Sequence, residues 1–388
     1  MRLAMSDCDS HPQFWSPSNS VPTMPSFPGE IIQSIVQELP TPSEQAKMCL
    51  VSAQFKAMAL PVLYRHINIR SLAMAIRCCL TIAQCAGRGD YVRSFVVVPD
   101  ADAERLVTSI EYRVLSRMLH LLPQLEYLHI WIPTYKDDVF YSLLTVTFPR
   151  LRRFACHQPH FNNENLLGDF LHRHPALTEL CIIRPHEYQC DNPPTTSNEF
   201  ATPLPLVPLP ALQSYSGSYS YFLRLAIRNR SLTHATFWDI PRSTDRRDIL
   251  VHRLANALAQ ASQLGLKLCI LGDAFGAEAI PALARVHPHL RTLEIGPFLE
   301  GPSRLHPNAA TAISSCLPHL PFLTTLNLNN SADLLDPSRP PTEGRFAQQD
   351  AAMLAAWSQL CPTLVASRLH NQYWQRAPGG AQWFMLGR

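Results

Sequence analysis

Histidine and cysteine carry the most versatile chemistry in this chain, and they gather in one stretch: Cys156, His157, His160, His172, His174, Cys181 and His186. A zinc site needs four such ligands converging tetrahedrally, which would require neighbouring repeats to align Cys156 with Cys181. Cysteine is also a common buried residue, and sixteen histidines in 388 residues cluster somewhere regardless of function. No metal and no other cofactor is therefore expected. Nucleotide and hydrolase signatures are absent: there is no phosphate loop ending in Gly-Lys-Ser/Thr, no His-Glu-x-x-His and no Gly-x-Ser-x-Gly. Gly87 and Gly89 lack the third glycine of a dinucleotide fingerprint and lie between a helix and a strand in the wrong order for one. Arg242, Arg246 and Arg247 form a basic loop without interleaved aromatics, unlike a nucleic-acid groove. No catalytic residue is assigned, and a non-enzymatic role is expected.

The elements behind these residues are short. Thirty-four prolines against fourteen glycines break the chain often. Hydrophobic residues are 46% of the total, enough to bury a core, and the +3 net charge is too small to define a nucleic-acid or membrane binder. Eleven scattered cysteines with no Cys-x-x-Cys suggest a reducing compartment. The first residues lack the apolar run of a signal peptide, and no stretch approaches the roughly 18 apolar residues of a spanning helix. An intracellular protein, cytoplasmic or nuclear, with no membrane and no nucleic-acid partner is expected.

Residues 1–26 read as a flexible tail. From Phe27 the spacing of Ile31, Ile32, Ile35, Val36 and Leu39 predicts a helix stopped by Pro40 and Pro42. Ala46, Cys49, Leu50, Ala53, Ala57 and Leu60 predict a second, ending at Pro61, and the segment from Val62 to Ile69 supplies a third short element. Such a module, 27–71, is too small to close a large core of its own.

Residues 72–388 repeat an apolar pattern, Leu-x-x-Leu-x-Leu. Clear copies begin at Val92, Leu125, Leu151, Leu177, Leu290 and Leu323, and weaker ones at Leu212, Leu232, Leu266 and Leu364. They lie roughly 30 residues apart on average, which is the mark of a stacked array rather than one closed core. Seven are preceded by a proline: Pro123, Pro149, Pro175, Pro210, Pro288, Pro321 and Pro362. Helical stripes fill the intervals, at Leu106, Ile110, Val114, Met118 and Leu122, at Leu166 to Leu171, at Leu250 to Ala261 and at Met353 to Leu360. A proline-rich insertion at 184–210 and a smaller one from Leu335 to Phe346 are placed on the surface.

The first module resembles an F-box, on Phe27, Pro28, Glu30, Ile31, Ile35, Leu39, Pro40, Leu50, Val51, Ser52, Phe55, Leu60, Leu63 and Tyr64. Phe27 stands where that family has leucine, Gln54 where it has a basic residue, and the family's tryptophan is missing. The rest resembles irregular leucine-rich repeats. The fold class implied is α/β: a short three-helix F-box followed by a curved leucine-rich-repeat solenoid of strand-helix units. The function implied is substrate recognition in a Skp–cullin–F-box ubiquitin ligase, a non-catalytic role. The F-box would dock a Skp-family adaptor, and through it cullin and RING subunits, while the repeats hold an unknown protein substrate. Phe27, Pro28, Ile31, Ile35, Leu50, Val51 and Phe55 are the adaptor-facing candidates, although spacing alone does not divide them between a partner and the module's own interior. Outward strand residues are the target-facing candidates: Tyr127, His129, Trp131, Arg153, His157, Glu179, Glu294 and Asn327, with Thr292, Thr325 and Asn329 beside them. The alternative is a repeat scaffold outside ubiquitylation, whose function would survive deletion of Phe27 to Ser71.

Overall fold

A computed structural model describes residues 28–85, 87–98, 119–131, 144–157, 164–183, 209–218, 231–238, 267–271, 287–296, 307–328, 347–370, 372–380 and 382–386, with positions 115, 222, 281, 284 and 285 besides. The tail, Phe27, both insertions beyond Leu209 and Pro210, and the stripe from Leu250 to Ala261 lie outside the described residues. The chain divides into two compact units that meet between Leu63 and Tyr64, eight residues before the expected boundary at Ser71. The shift has a local cause: the third short element is not a helix of the first unit but splits, its last four residues forming strand β1 (His66–Ile69), which pairs with β2 (Ser94–Val97).

Three helices make the first unit: α1 (Gly29–Glu38), α2 (Pro42–Met48) and α3 (Ala53–Arg65). Pro42 opens α2 rather than stopping its predecessor. Thr41 is the N-cap, its hydroxyl accepting the Glu44 N–H while the Glu44 carboxylate accepts the Thr41 N–H, a reciprocal box that satisfies two amides with no partner inside the helix. The expected second helix is thereby two, separated by the turn at Cys49 to Ser52, and Pro61 lies inside α3 instead of ending it.

The second unit is mixed α/β. Its thirteen described strands form one sheet in simple sequence order, parallel from β1 to β11 and antiparallel for the last two, and β1 and β13 are its ends, so the sheet is not closed into a barrel. The strands after β2 are β3 (Tyr127–Trp131), β4 (Arg153–His157), β5 (Glu179–Ile183), β6 (Ser214–Ser218), β7 (His234–Trp238), β8 (Lys267–Leu271), β9 (Thr292–Gly296), β10 (Thr325–Leu328), β11 (Ala366–Leu369), β12 (Gln372–Arg376) and β13 (Trp383–Leu386). On the second unit's helices, α4 is Leu72–Gln84, α5 is Glu164–His172, α6 is Pro307–Cys316 and α7 is Ala347–Leu360.

Proline marks the approach to seven of the strands. All seven prolines noted in the sequence occupy the second position of a four-residue turn whose first carbonyl accepts from the N–H of the leucine at its fourth position, at 3.0–3.2 Å, as from Leu125 to Leu122 and from Leu364 to Cys361. Proline's fixed φ suits that position and its missing amide costs nothing there. Beyond each turn, one carbonyl of a strand's approach receives two successive N–H groups of the next: the carbonyls of Arg93, Glu126, Arg152, Thr178, Gln213, Arg291 and Thr324 each do this, at 2.7–3.1 Å. At three of these steps a threonine hydroxyl joins in, Thr178 donating to Arg152, Thr233 to Gln213 and Thr324 to Arg291, at 3.0–3.1 Å.

Register then sends alternate residues to opposite faces. Phe95, Leu128, Phe154, Leu180, Tyr215, Ala235, Leu293 and Leu326 form one buried row, and Val97, Ile130, Cys156, Ile182, Phe237, Ile295 and Leu328 a second. Leu268 belongs to the first row by backbone pairing, two residues after Leu266 rather than three, so that repeat begins one residue earlier than its apolar pattern suggests. Leu167, Phe170 and Leu171 of α5 pack on this face, Phe170 lying 4.7 Å from the Phe154 ring, as do Leu354 and Trp357 of α7, whose indole donates to Ser314 of α6 at 2.9 Å. In the segment before β3, Leu122 of the expected stripe is buried together with Leu115 and Leu119, while Leu106, Ile110, Val114 and Met118 lie outside the described residues. Among the described residues, no helix is long and apolar enough to cross a membrane.

Candidate functional site

The first unit buries little. Among its described residues, Ile32, Val36 and Ala59 are the fully enclosed apolar ones, flanked by the half-buried Met48, Cys49, Phe55, Met58 and Val62. On α1, isoleucine or valine occupies adjacent positions, 31 with 32 and 35 with 36, and a helix cannot turn both stripes to the same core. Ile32 and Val36 are the inward pair; Ile31 and Ile35 remain exposed. Leu50 and Val51, in the turn between α2 and α3, are 84% and 62% exposed. Of the adaptor-facing candidates, Pro28, Ile31, Ile35, Leu50 and Val51 therefore lie at the surface, Phe55 packs inward, and Phe27 lies outside the described residues. Burying each such aliphatic side chain is worth about 1.5–3 kcal/mol, so four left in water favour a partner.

The target-facing candidates whose side chains are described, Tyr127, His129, Arg153, Glu179, Glu294 and Asn327, occupy the face of the sheet opposite the buried rows. Tyr127, Arg153 and Glu179 are direct neighbours in one row across β3, β4 and β5. The Arg153 guanidinium sits 4.7 Å from the centre of the Tyr127 ring, a stacked cation. Partial burial pushes the Tyr127 phenol up, against the pull of the Arg153 charge. His129 lies one row along, its Nδ1 3.4 Å from the Tyr127 hydroxyl, and burial lowers its proton affinity. Trp131 and His157 are paired in the backbone at the far end of the same strands, but their side chains are outside the described residues.

Glu294 and Asn327 are also neighbours, in the row of His129, but not of His129 itself. β9 is six strands from β3, about 29 Å along the sheet at roughly 4.8 Å per strand. The candidates thus form two groups, and no small ligand spans both. Between them the open face carries Ala155, Cys181, Ser214, Ser216, His234 and Thr236.

Strand register separates the cysteines that a zinc site would require. Cys181 pairs with Ala155 on the open face, while Cys156 pairs with Ile182 in the core, where burial drives its thiol well above the ordinary range. His174 has both ring nitrogens engaged: Nδ1–H donates to the Phe170 carbonyl at 2.6 Å and Nε2 accepts from the Phe148 N–H at 2.9 Å. Among the described residues, no group of three or more His, Cys, Asp or Glu side chains converges as metal ligands would.

Two features carried no sequence signal in the Leu-x-x-Leu-x-Leu pattern. Asp350 of α7, 1% exposed, holds His370 in the turn between β11 and β12 through two contacts of 2.9 and 3.1 Å, with His370 at φ +47°. The open face also ends in exposed apolar side chains, Tyr373, Phe384 and Leu386, with the Arg368 guanidinium 5.0 Å from the Tyr373 ring centre. The uncharged run Trp-Phe-Met-Leu at 383–386 was their only trace in the sequence.

No protein-family model matches the chain, and no curated protein matches it.

Proposed function

We propose that the chain is the substrate-recognition subunit of a Skp–cullin–F-box ubiquitin ligase: its first unit an F-box that docks a Skp-family adaptor, its second a leucine-rich-repeat solenoid whose open face holds a protein target. One observation carries this reading. A unit that fully buries three apolar residues among those described leaves Ile31, Ile35, Leu50 and Val51 exposed, at positions where the F-box resemblance puts adaptor contacts. A three-helix unit with so small an interior gains stability by covering that patch with another polypeptide. The row of Tyr127, Arg153 and Glu179 supports target binding at β3 to β5, because an aromatic ring stacked with arginine is typical of residues that anchor interfaces.

The role is one of holding, with chemistry left to other subunits. Co-expression with a Skp-family adaptor tests it. The wild-type chain co-purifies with the adaptor, and the Ile31→Asp/Val51→Asp double variant, altered only at exposed side chains, does not. Undiminished recovery of the adaptor by that variant rejects the assignment.

A further inference from the structure

Among the described residues, the last strand of the sheet has a neighbour on one side only, and its composition is unusual for an edge. β13 has β12 as its neighbour on one side and ends the strand order on the other. Its ladder has a definite phase, because the Ala377 N–H donates to the Gln382 carbonyl at 2.9 Å. Counting along the antiparallel register from that bond, Phe384 and Leu386 spend their N–H and C=O groups on β12, while Trp383 and Met385 turn theirs to the open edge. Proteins ordinarily blunt such an edge with lysine, proline or a bulge. Trp383, Phe384, Met385 and Leu386 include none of these, and the last three are each about half exposed.

Side-chain chemistry narrows what fits. Both faces of β13 are apolar, Trp383 and Met385 on the helix side and Phe384 and Leu386 on the open side. A strand added here would lie against apolar neighbours on both of its own faces, so it needs apolar residues at consecutive positions rather than alternate ones. From Ala366 to Leu386 there is no Asp or Glu, whereas Arg376 lies opposite Trp383 with its guanidinium on the carbonyls of Gly380 at 2.6 Å and Pro362 at 2.8 Å, contacts that leave its charge uncancelled. An acidic flank answers that charge, and a second copy of this hairpin brings none.

We propose that β13 is a docking edge for an extended segment of another protein, apolar on both faces and acidic at its flanks, which joins the sheet as a further strand. The site is separate from the exposed patch of the first unit and does not depend on adaptor binding.

The test uses the full chain and three fluorescein-labelled peptides, read by fluorescence anisotropy. The first is Asp-Glu-Val-Ile-Val-Phe-Val-Glu-Asp; the second replaces its Ile and Phe by Ser; the third replaces its four acids by Lys. The first binds, and the other two bind at least about tenfold more weakly, the weight of lost apolar contact or charge complementarity. Met385→Pro removes an outward N–H at a position where an edge strand tolerates proline, and weakens the first peptide by about tenfold or more. Phe384→Ser keeps every backbone group and does the same through lost contact, which guards against misfolding of the proline variant. Both variants retain adaptor co-purification, so a failure here is distinct from a failure of the ligase reading. Absence of binding, equal binding of all three peptides, or indifference to both variants overturns the proposal. So does sedimentation showing a dimer that Met385→Pro makes monomeric, which would make a second copy the occupant.

Discussion

The Nε2 of His174 accepts a hydrogen bond from the Phe148 N–H across 2.9 Å, tying the proline turn before β5 to the proline turn before β4. With Nδ1–H committed to the Phe170 carbonyl, the ring is held neutral, and burial lowers its proton affinity below that of a free imidazole. His174 thus adds a side-chain link between the two turns to the backbone bonds from Thr178 and Glu179 to the Arg152 carbonyl.

This bond gives the fold a defined acid sensitivity. A histidine whose folded pKa is depressed contributes in full above its unfolded pKa, about 6.5, and that contribution is lost as pH falls below this value toward the folded one. Urea unfolding at pH 7.5 and 5.5 shows wild type weakening at the lower pH. His174→Leu abolishes the share of that weakening that comes from this residue, and at pH 7.5 it costs about 1–3 kcal/mol, because the Phe148 N–H is left unanswered in the core, while the Phe170 carbonyl keeps the Arg173 N–H.

Glycine tolerance separates two positions. A Cβ on Gly89 would lie 1.8 Å from the Leu121 carbonyl oxygen, and backbone cannot yield as a side-chain tip does. On Gly29, in the first turn of α1, it would meet only the Met58 side chain at 3.5 Å, an ordinary contact. Gly89→Ala lowers the stability of the second unit by more than about 2 kcal/mol, whereas Gly29→Ala is neutral or stabilises by up to about 1 kcal/mol. Thermal melts of the two variants decide it.

The threonine hydroxyls at strand starts should act independently. Thr178→Val, Thr233→Val and Thr324→Val each remove one hydroxyl bond to a preceding carbonyl, at a cost of about 0.5–1.5 kcal/mol. Consecutive members lie at least two strands apart, about 10 Å, so the triple variant shows the sum of the singles within about 0.5 kcal/mol. A marked excess in denaturant titrations would mean that the steps are coupled.

Asp350 and His370 anchor the first turn of the closing hairpin. Asp350→Ala leaves a buried imidazole without its carboxylate in a left-handed backbone, and costs about 3 kcal/mol or more. His370→Asn loses less, since asparagine tolerates positive φ and its amide donates to the carboxylate. Calorimetry ranks the two; equal losses would contradict the anchoring role.

How much of this could be read from residue order depended on what each residue type constrains. Prolines two residues before a leucine marked their turns because proline acts through its own φ, whatever packs around it. The strand after Leu266 was misplaced by one residue because Leu266, Leu268 and Ile270 satisfy the apolar pattern in either phase, and only pairing with β7 settles which is inward. β1 and the β12–β13 hairpin went unread: the first follows a helix that runs through Pro61, and the hairpin reverses direction at Gly379, φ +70°, without repeating the motif. On α1 the composition announced surplus apolar surface, but which of Ile31 and Ile32 faced water depended on where Ala59 of α3 lay. The open-face candidates were chosen by alternation alone, which is why they include Tyr127 beside Arg153 but also Glu294, far along the sheet.

Carbonyls that clasp only the next strand make the second unit a chain of independent clips. Tension applied between its two ends would open one clip before loading another, and each release would free a loop of roughly 30 residues, lengthening the molecule by about 100 Å.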